Sequence, residues 1–181
     1  MPSSPKPTER GFTLIEILVV VVILGLLATV AVSGLGGSSQ RRELDQRVRE
    51  LFLVFQVAGE RAILDNGEIG VQIADNRVRY LRYIPAEQNW DVYDQKPFRS
   101  EEWDQAFFLE LETETDPPRM RTSESNAERP DLVFFSSGET TPFRISIGLT
   151  EDPDRRYRIE TDGLNPMQLL QPDEEDEVRL Q

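Results

Sequence analysis

Residues 12–32 read FTLIEILVVVVILGLLATVAV, and the architecture of the chain turns on what this block is. Between Arg10 and Arg41 the only charged residue is Glu16. A helix of about 20 residues rises ~30 Å, enough to cross the hydrocarbon layer of a bilayer. A core helix of that length in a soluble domain would carry a polar face, and this block has none. The reading is a membrane helix over residues 12–35. A cleaved secretory signal peptide competes with it, because Lys6 and Arg10 precede the apolar run. The run is longer than the usual 7–15-residue apolar region of such signals. No small-residue cleavage site follows it either, only Ser33-Gly34-Leu35-Gly36-Gly37-Ser38-Ser39, so the block is expected to be retained.

Glu16 stands among Leu14, Ile15, Ile17 and Leu18. A carboxylate near a membrane centre costs about 2.5–3.5 kcal/mol on insertion scales, which calls for a functional partner or for a place at the interface. The string Arg10-Gly11-Phe12-Thr13-Leu14-Ile15-Glu16 resembles the prepilin motif of the type IV pilin and pseudopilin family. The resemblance implies a leader ending at Gly11, cut by a prepilin peptidase, and a new N-terminal Phe12 that is methylated. It also implies an assembly role for Glu16, which would lie about one helical turn below the Phe12 amine. In a filament of such helices that carboxylate can pair with the amine of a neighbouring subunit, reducing the cost of both charges in an apolar bundle. Charge counting alone favours the opposite topology, because Lys6 and Arg10 on the N-side are outnumbered by Arg41, Arg42, Arg47 and Arg49. Long domains translocate despite nearby charge. The family orientation, with a cytoplasmic leader and an exported C-terminal domain, is therefore adopted.

Beyond Val32, the glycines Gly34, Gly36 and Gly37 each cost about 1 kcal/mol of helix propensity relative to Ala, so a flexible join is expected. The helical pattern resumes near Ser39, with Leu44, Val48, Leu51, Phe52, Phe55, Ala58 and Ala62 making one apolar stripe up to Gly67. Ile69, Val71 and Ile73 then alternate, Asp75-Asn76 supplies a turn, and Val78 to Ile84 returns as the second strand of a hairpin. Residues 85–105 read as an irregular excursion. Phe107, Leu109 and Leu111 form a half-buried strand ended by Pro117-Pro118, and Arg119 to Arg129 reads as a mobile loop. Leu132–Phe135 and Phe143–Leu149 read as a hairpin around Gly138, and Tyr157–Thr161 as a last strand.

The segment Phe134-Phe135-Ser136-Ser137-Gly138-Glu139-Thr140-Thr141-Pro142-Phe143 resembles the C-terminal hairpin of the H-type minor pseudopilins of type II secretion. The implied fold is α+β and pilin-like: a long N-terminal helix, half transmembrane and half amphipathic, packed on an antiparallel β-sheet head. The expected organisation is a leader over 1–11, a filament-core helix over 12–35 and an amphipathic helix over 36–66. A periplasmic head over 67–164 and an acidic, disordered tail over 165–181 complete it.

Composition bounds the chemistry. The chain has 181 residues, 33 acidic against 20 basic, and a net charge of −13 that repels phosphate backbones. With no Cys and no His, it has no disulfide framework, thiolate site or His-based catalytic group. Gly34-Leu35-Gly36-Gly37 fits neither phosphate-binding glycine motif and reads as a hinge. Glu151, Asp152 and Asp154 lack any calcium-loop spacing and read as a solvated turn. Ser136 and Ser137 have no activating base and read as turn residues. Arg77, Arg79 and Arg82 could face DNA, but neighbouring acids make nucleic acid an unfavoured partner.

No enzyme, metal or cofactor is expected. The expected partners are other minor and major pseudopilins, a prepilin peptidase, an inner-membrane assembly platform and, before assembly, the lipid bilayer. The resulting expectation is a minor pseudopilin in the initiating or tip complex of a periplasmic pseudopilus that helps export folded proteins. Two readings stand beside it: a DNA-binding minor pilin of a motility or competence system, and a membrane-tethered domain that never polymerises.

Overall fold

The computed structural model describes residues 14–33, 35–113 and 129–172. Gly11, Phe12, most of the loop expected before Arg129, and the acidic run 173–177 lie outside them. The chain divides into two units, Met1–Arg41 and Arg42–Gln181.

In the first unit, α1 spans Leu14–Ser33, with Glu16 in its first turn. Its described large apolar side chains, Leu14 to Leu24 and Leu27, are all exposed, Leu14 at 84% and even Val20 at 46%. The run Val19–Val22 has modest intrinsic helix propensity. Such a helix persists where water does not compete for its backbone groups. The next helix, α2, spans Leu35–Asp65, starting four residues before the expected resumption at Ser39. Gly36 and Gly37 lie within it, because a cost of about 1 kcal/mol per glycine is small against a long helix that propagates one bond per residue.

In the second unit, the expected stripe is the buried face of α2: Leu44, Val48, Leu51, Phe55, Ala58 and Ala62 are all buried, and Phe52 packs partly against them. The i,i+4 pairs Arg47–Glu43, Arg49–Asp45 and Arg61–Asp65 reinforce the solvent side. Past Asp65, the Gly67 amide donates to the Ala62 carbonyl at 3.1 Å and the Asn66 amide to Ile63 at 3.3 Å. That is a Schellman cap, with Asn66 rather than Gly67 in the left-handed position (φ 49°).

The first sheet contains β1 (Ile69–Ala74), β2 (Arg77–Ile84), β3 (Asn89–Val92), β4 (Glu101–Glu102) and, after β5 (Phe107–Thr113) of the other sheet, β6 (Leu132–Phe134). Its order is β3-β2-β1-β6, with β4 also on β2, and every pairing is antiparallel. The β1–β2 hairpin forms as expected. Asp75 and Asn76 both have positive φ, 52° and 57°, the geometry a two-residue type I′ turn demands and one that Asp and Asn tolerate.

The supposed irregular excursion supplies β3 and β4. It also buries Trp90, Tyr93, Phe98 and Trp103, aromatic residues whose uneven spacing gives no periodic sign of their burial. Trp90 joins Leu81 and Val133 in a small outer cluster, while Tyr93, Phe98 and Trp103 belong to the main core.

The second sheet has the order β5-β7-β8-β9, where β7 is Phe143–Leu149, β8 Asp152–Thr161 and β9 Gln168–Leu170. The expected hairpin between Leu132–Phe135 and Phe143–Leu149 does not form. The chain folds back only over the turn around Gly138, where Phe134 bridges Thr140 ahead of the second run. Then β6 pairs with β1 and β7 with β5 and β8. Both runs are apolar throughout, so periodicity does not reveal which partner each takes. The turn itself is where expected, with Gly138 at φ 91°. The expected tail is also too long: Met167 and Leu169 pack on the core, and β9 pairs with β8. Composition after residue 172 draws attention away from the apolar Met167-Gln168-Leu169-Leu170.

The core closes around Phe55 of α2. Its ring meets Tyr80 of β2 and Phe134 of β6 at 6.4 and 5.7 Å, and Phe143 of β7 at 6.0 Å, all edge-on.

Candidate functional site

Two features could carry function: the apolar column of α1 and the polar surface of the head. Along α1, the exposed faces of Leu14, Ile15, Ile17, Leu18, Val21 and Leu24 surround a helix that has no polar stripe. An exposed apolar surface of this extent marks contact with lipid or with other proteins. Glu16 occupies the first turn of the described helix, where backbone N–H groups and the helix dipole favour a negative charge. Among the described residues no helix is long and apolar enough to cross a membrane. The described side chains of α1 stop at Leu27, short of a full span.

On the head, sequence reasoning missed an anchoring cluster at the N-terminal half of α2. Arg47 donates to Glu43 at 3.0 Å and to Glu101 of β4 at 2.7 Å. Its guanidinium also stands over the rings of Trp103 and Phe107, 5.7 and 5.8 Å from their centroids. A single side chain thus ties α2 to β4 and to the rings of Trp103 and Phe107. Burial pushes the Glu101 carboxyl above the usual carboxylate range, and Arg47 opposes that shift. Nearby, the Tyr157 hydroxyl of β8 donates to Asp45 at 3.1 Å. The hydrogen bond from Arg49 holds Asp45 below its ordinary value. No sequence signal marks Arg47, which looks like any arginine in an i,i+4 pair.

The other candidates disperse. Arg77 and Arg79 alternate with Val78 and Tyr80 on β2, so they share a face that Arg82 does not. Arg77 pairs with Glu102 at 2.6 Å, Arg79 donates to Gln72 at 3.3 Å, and Arg82 lies over the Tyr93 ring at 5.3 Å. The three arginines do not form one basic surface. Ser136 donates to Glu68 at 3.2 Å, and Ser137 accepts from the Glu139 amide. Asp152 and Asp154 lie in β8 instead of a turn, and among the described residues no group of three acids could hold a metal ion. Of Gly34-Leu35-Gly36-Gly37, residues 35–37 are helical and Gly34 lies outside the described residues.

An open groove of about 770 Å³ runs along the end of the second sheet. In it, Arg144 is bracketed by Glu160 at 2.8 Å and Glu112 at 3.4 Å. Asp162, also on its wall, accepts from the Leu164 and Asn165 amides and from the Asn165 side chain, which satisfies its carboxylate within the turn.

A family model described as type II transport protein GspH matches residues 47–164, and one described as the prokaryotic N-terminal methylation motif matches residues 6–32. The chain belongs to the GspH family. Among the relatives of this GspH chain, the type II secretion system protein H of Pseudomonas aeruginosa is 33% identical over 161 residues, covering 86% of this chain and 92% of that protein. The protein of the same name from Aeromonas hydrophila is 28% identical, covering 93% and 97%. The structure of the minor pseudopilin EpsH from the type 2 secretion system of Vibrio cholerae superposes with a TM-score of 0.60. At 23% identity, over 72% of this chain and 98% of that one, that likeness establishes the pilin-like α+β fold.

Proposed function

We propose that this protein is a minor pseudopilin of a type II secretion system, working in the complex that starts or caps a short periplasmic pseudopilus. The observation that carries this reading is the bare apolar column of α1, with one carboxylate in its first turn, joined to an α+β head of the GspH family. Before assembly the column is covered by the inner membrane, with the head in the periplasm. After assembly it is covered by the helices of other minor and major pseudopilins.

Prepilin peptidase cuts between Gly11 and Phe12, and Phe12 is then N-methylated. The new amine lies about one turn from the side chain of Glu16. A staggered neighbour brings its own amine to Glu16, so an ion pair forms only between subunits in register. That makes the pair a device for specifying assembly more than a source of affinity. The head supplies no catalytic group in this reading, and its work is to present surfaces to the assembly platform and the other pseudopilins. Helix packing of this kind helps move folded proteins outward by extension of the filament.

Replacing Glu16 with Ala and with Asp tests the reading in a strain that depends on this subunit. The Ala variant is expected to insert and be processed normally but to lose co-purification with other pseudopilins and to abolish secretion. Normal secretion by Glu16→Ala would leave only a tethered domain. The DNA-binding pilin reading is disfavoured by the dispersal of Arg77, Arg79 and Arg82.

A further inference from the structure

We propose that the outer edge of β5, from Leu109 to Thr113, takes up an extended segment of another protein as an added antiparallel strand. That strand carries Lys or Arg opposite Glu110 and Glu112 and aliphatic residues opposite Leu109 and Leu111. This goes beyond the pseudopilin role and does not rest on it.

Register fixes which backbone groups are open. Strand β5 ends the second sheet and pairs with β7 in seven unbroken steps, from Phe107 with Leu149 to Thr113 with Phe143. In an antiparallel ladder successive residues turn their N–H and C=O groups to opposite sides. The Ala106 carbonyl accepts from the Thr150 amide, so the even-numbered residues that follow face β7. The odd-numbered ones face outward, and there the Asn76 side chain engages the Phe107 carbonyl and the Leu109 amide. Past Asn76, the Leu109 carbonyl, both backbone groups of Leu111 and the Thr113 amide point away from the sheet. Among the described residues nothing pairs with them.

The other edges of the head are short or closed. Strands β3 and β9 have four and three residues. Along β6, Thr141 closes the edge: its amide donates to the Val133 carbonyl and its hydroxyl accepts from the Val133 amide. Proteins blunt longer edges with lysine, proline or a bulge, and Phe107–Thr113 contains none of these.

Side chains select the occupant. Glu110 is exposed and stands opposite the neutral Ser146, while Glu112 shares Arg144 with Glu160, so one cation serves two carboxylates. Opposite charges directly across a strand pair stabilise it and like charges destabilise it. A second copy is therefore the wrong partner, because antiparallel self-pairing centred on Leu111 sets Glu110 against Glu112 of the other copy. A strand with cations at those two positions is matched. On the other face Leu109 and Leu111 pack on the core yet remain only half-buried, so aliphatic residues at the alternate positions gain burial.

The probe is the peptide acetyl-TKVRVT-amide, added to the full-length, isotope-labelled protein in detergent micelles and followed by amide hydrogen exchange. At about ten times its Kd it should slow exchange of the Leu111 and Thr113 amides about tenfold, leaving those of Glu110 and Glu112, already bonded to β7, unchanged. The effect should be lost with the same peptide N-methylated at both valines and with acetyl-TEVEVT-amide. Glu110→Gln should weaken it, as should salt at about 1 M, where the Debye length is about 3 Å. No slowing by the basic peptide overturns the proposal, and so does equal slowing by all three peptides. Two further results overturn it: a Leu111 amide as protected as that of Glu112 before any peptide is added, and protection that rises with protein concentration alone, which would assign the edge to a second copy.

Discussion

The side-chain amide of Asn76 donates to the Phe107 carbonyl at 2.7 Å, and its oxygen accepts from the Leu109 amide at 3.4 Å. Asn76 sits in the β1–β2 turn, and Phe107 and Leu109 lie on the edge strand β5 of the other sheet. One side chain thus mimics a strand's backbone and joins the two sheets, while the Asn76 carbonyl accepts from Trp103 at 2.8 Å.

Two properties of Asn76, its positive φ and its amide, can be separated by substitution. Asn76→Ala loses both and should destabilise the protein by about 2–3 kcal/mol. Asn76→Gly keeps the conformation and should cost about 1–2 kcal/mol. Urea denaturation midpoints at constant slope would check this, and equal effects of the two variants would mean that the amide contributes nothing.

Gly70 lies opposite Leu81 and Val133 in the first sheet. A Cβ there would meet the Pro130 ring at 2.6 Å and Trp90 at 2.9 Å. Gly70→Ala should cost about 1–3 kcal/mol through overpacking and should shift the fluorescence of Trp90. A stability equal to the parent's would show that the outer cluster yields freely.

Glu101 and Asp45 should titrate in opposite senses. Burial raises Glu101, so its contribution to stability is present below the ordinary glutamate range and is lost as pH rises through the raised value. Asp45 is lowered by Arg49, so its contribution is present above the ordinary aspartate range and is lost as pH falls. Carboxyl NMR titration should place Glu101 above 4.5 and Asp45 below 3.8. Arg49→Ala should move Asp45 upward and leave Glu101 in place.

DNA binding separates the two assembly readings. The head should give no mobility shift with duplex DNA at low salt. A shift that falls steeply with added salt and vanishes in the Arg77→Ala/Arg79→Ala/Arg82→Ala variant would overturn the secretion reading.

Much of this architecture is legible from residue spacing. The stripe from Leu44 to Ala62 announces the buried face of α2, and Asp75-Asn76 announces a hairpin because few residues accept left-handed backbone. Glu16 is legible as the one charge in an apolar run. What escapes is pairing at a distance. The uniformly apolar Leu132–Phe135 and Phe143–Leu149 look like partners and are not. The aromatics Trp90, Tyr93, Phe98 and Trp103 show no period because most of them enter the core from irregular chain between short strands. Arg47 reaches Glu101 across 54 positions, a relationship that no local pattern encodes.

The crossing of the chain from β6 to β7 has a mechanical consequence. Because strands adjacent in sequence belong to different sheets, and Phe55 wedges its ring against both, the head offers no sheet that can be peeled away first. A tug delivered along α2 is shared by the two layers at once, so the domain should resist load and yield in a single step.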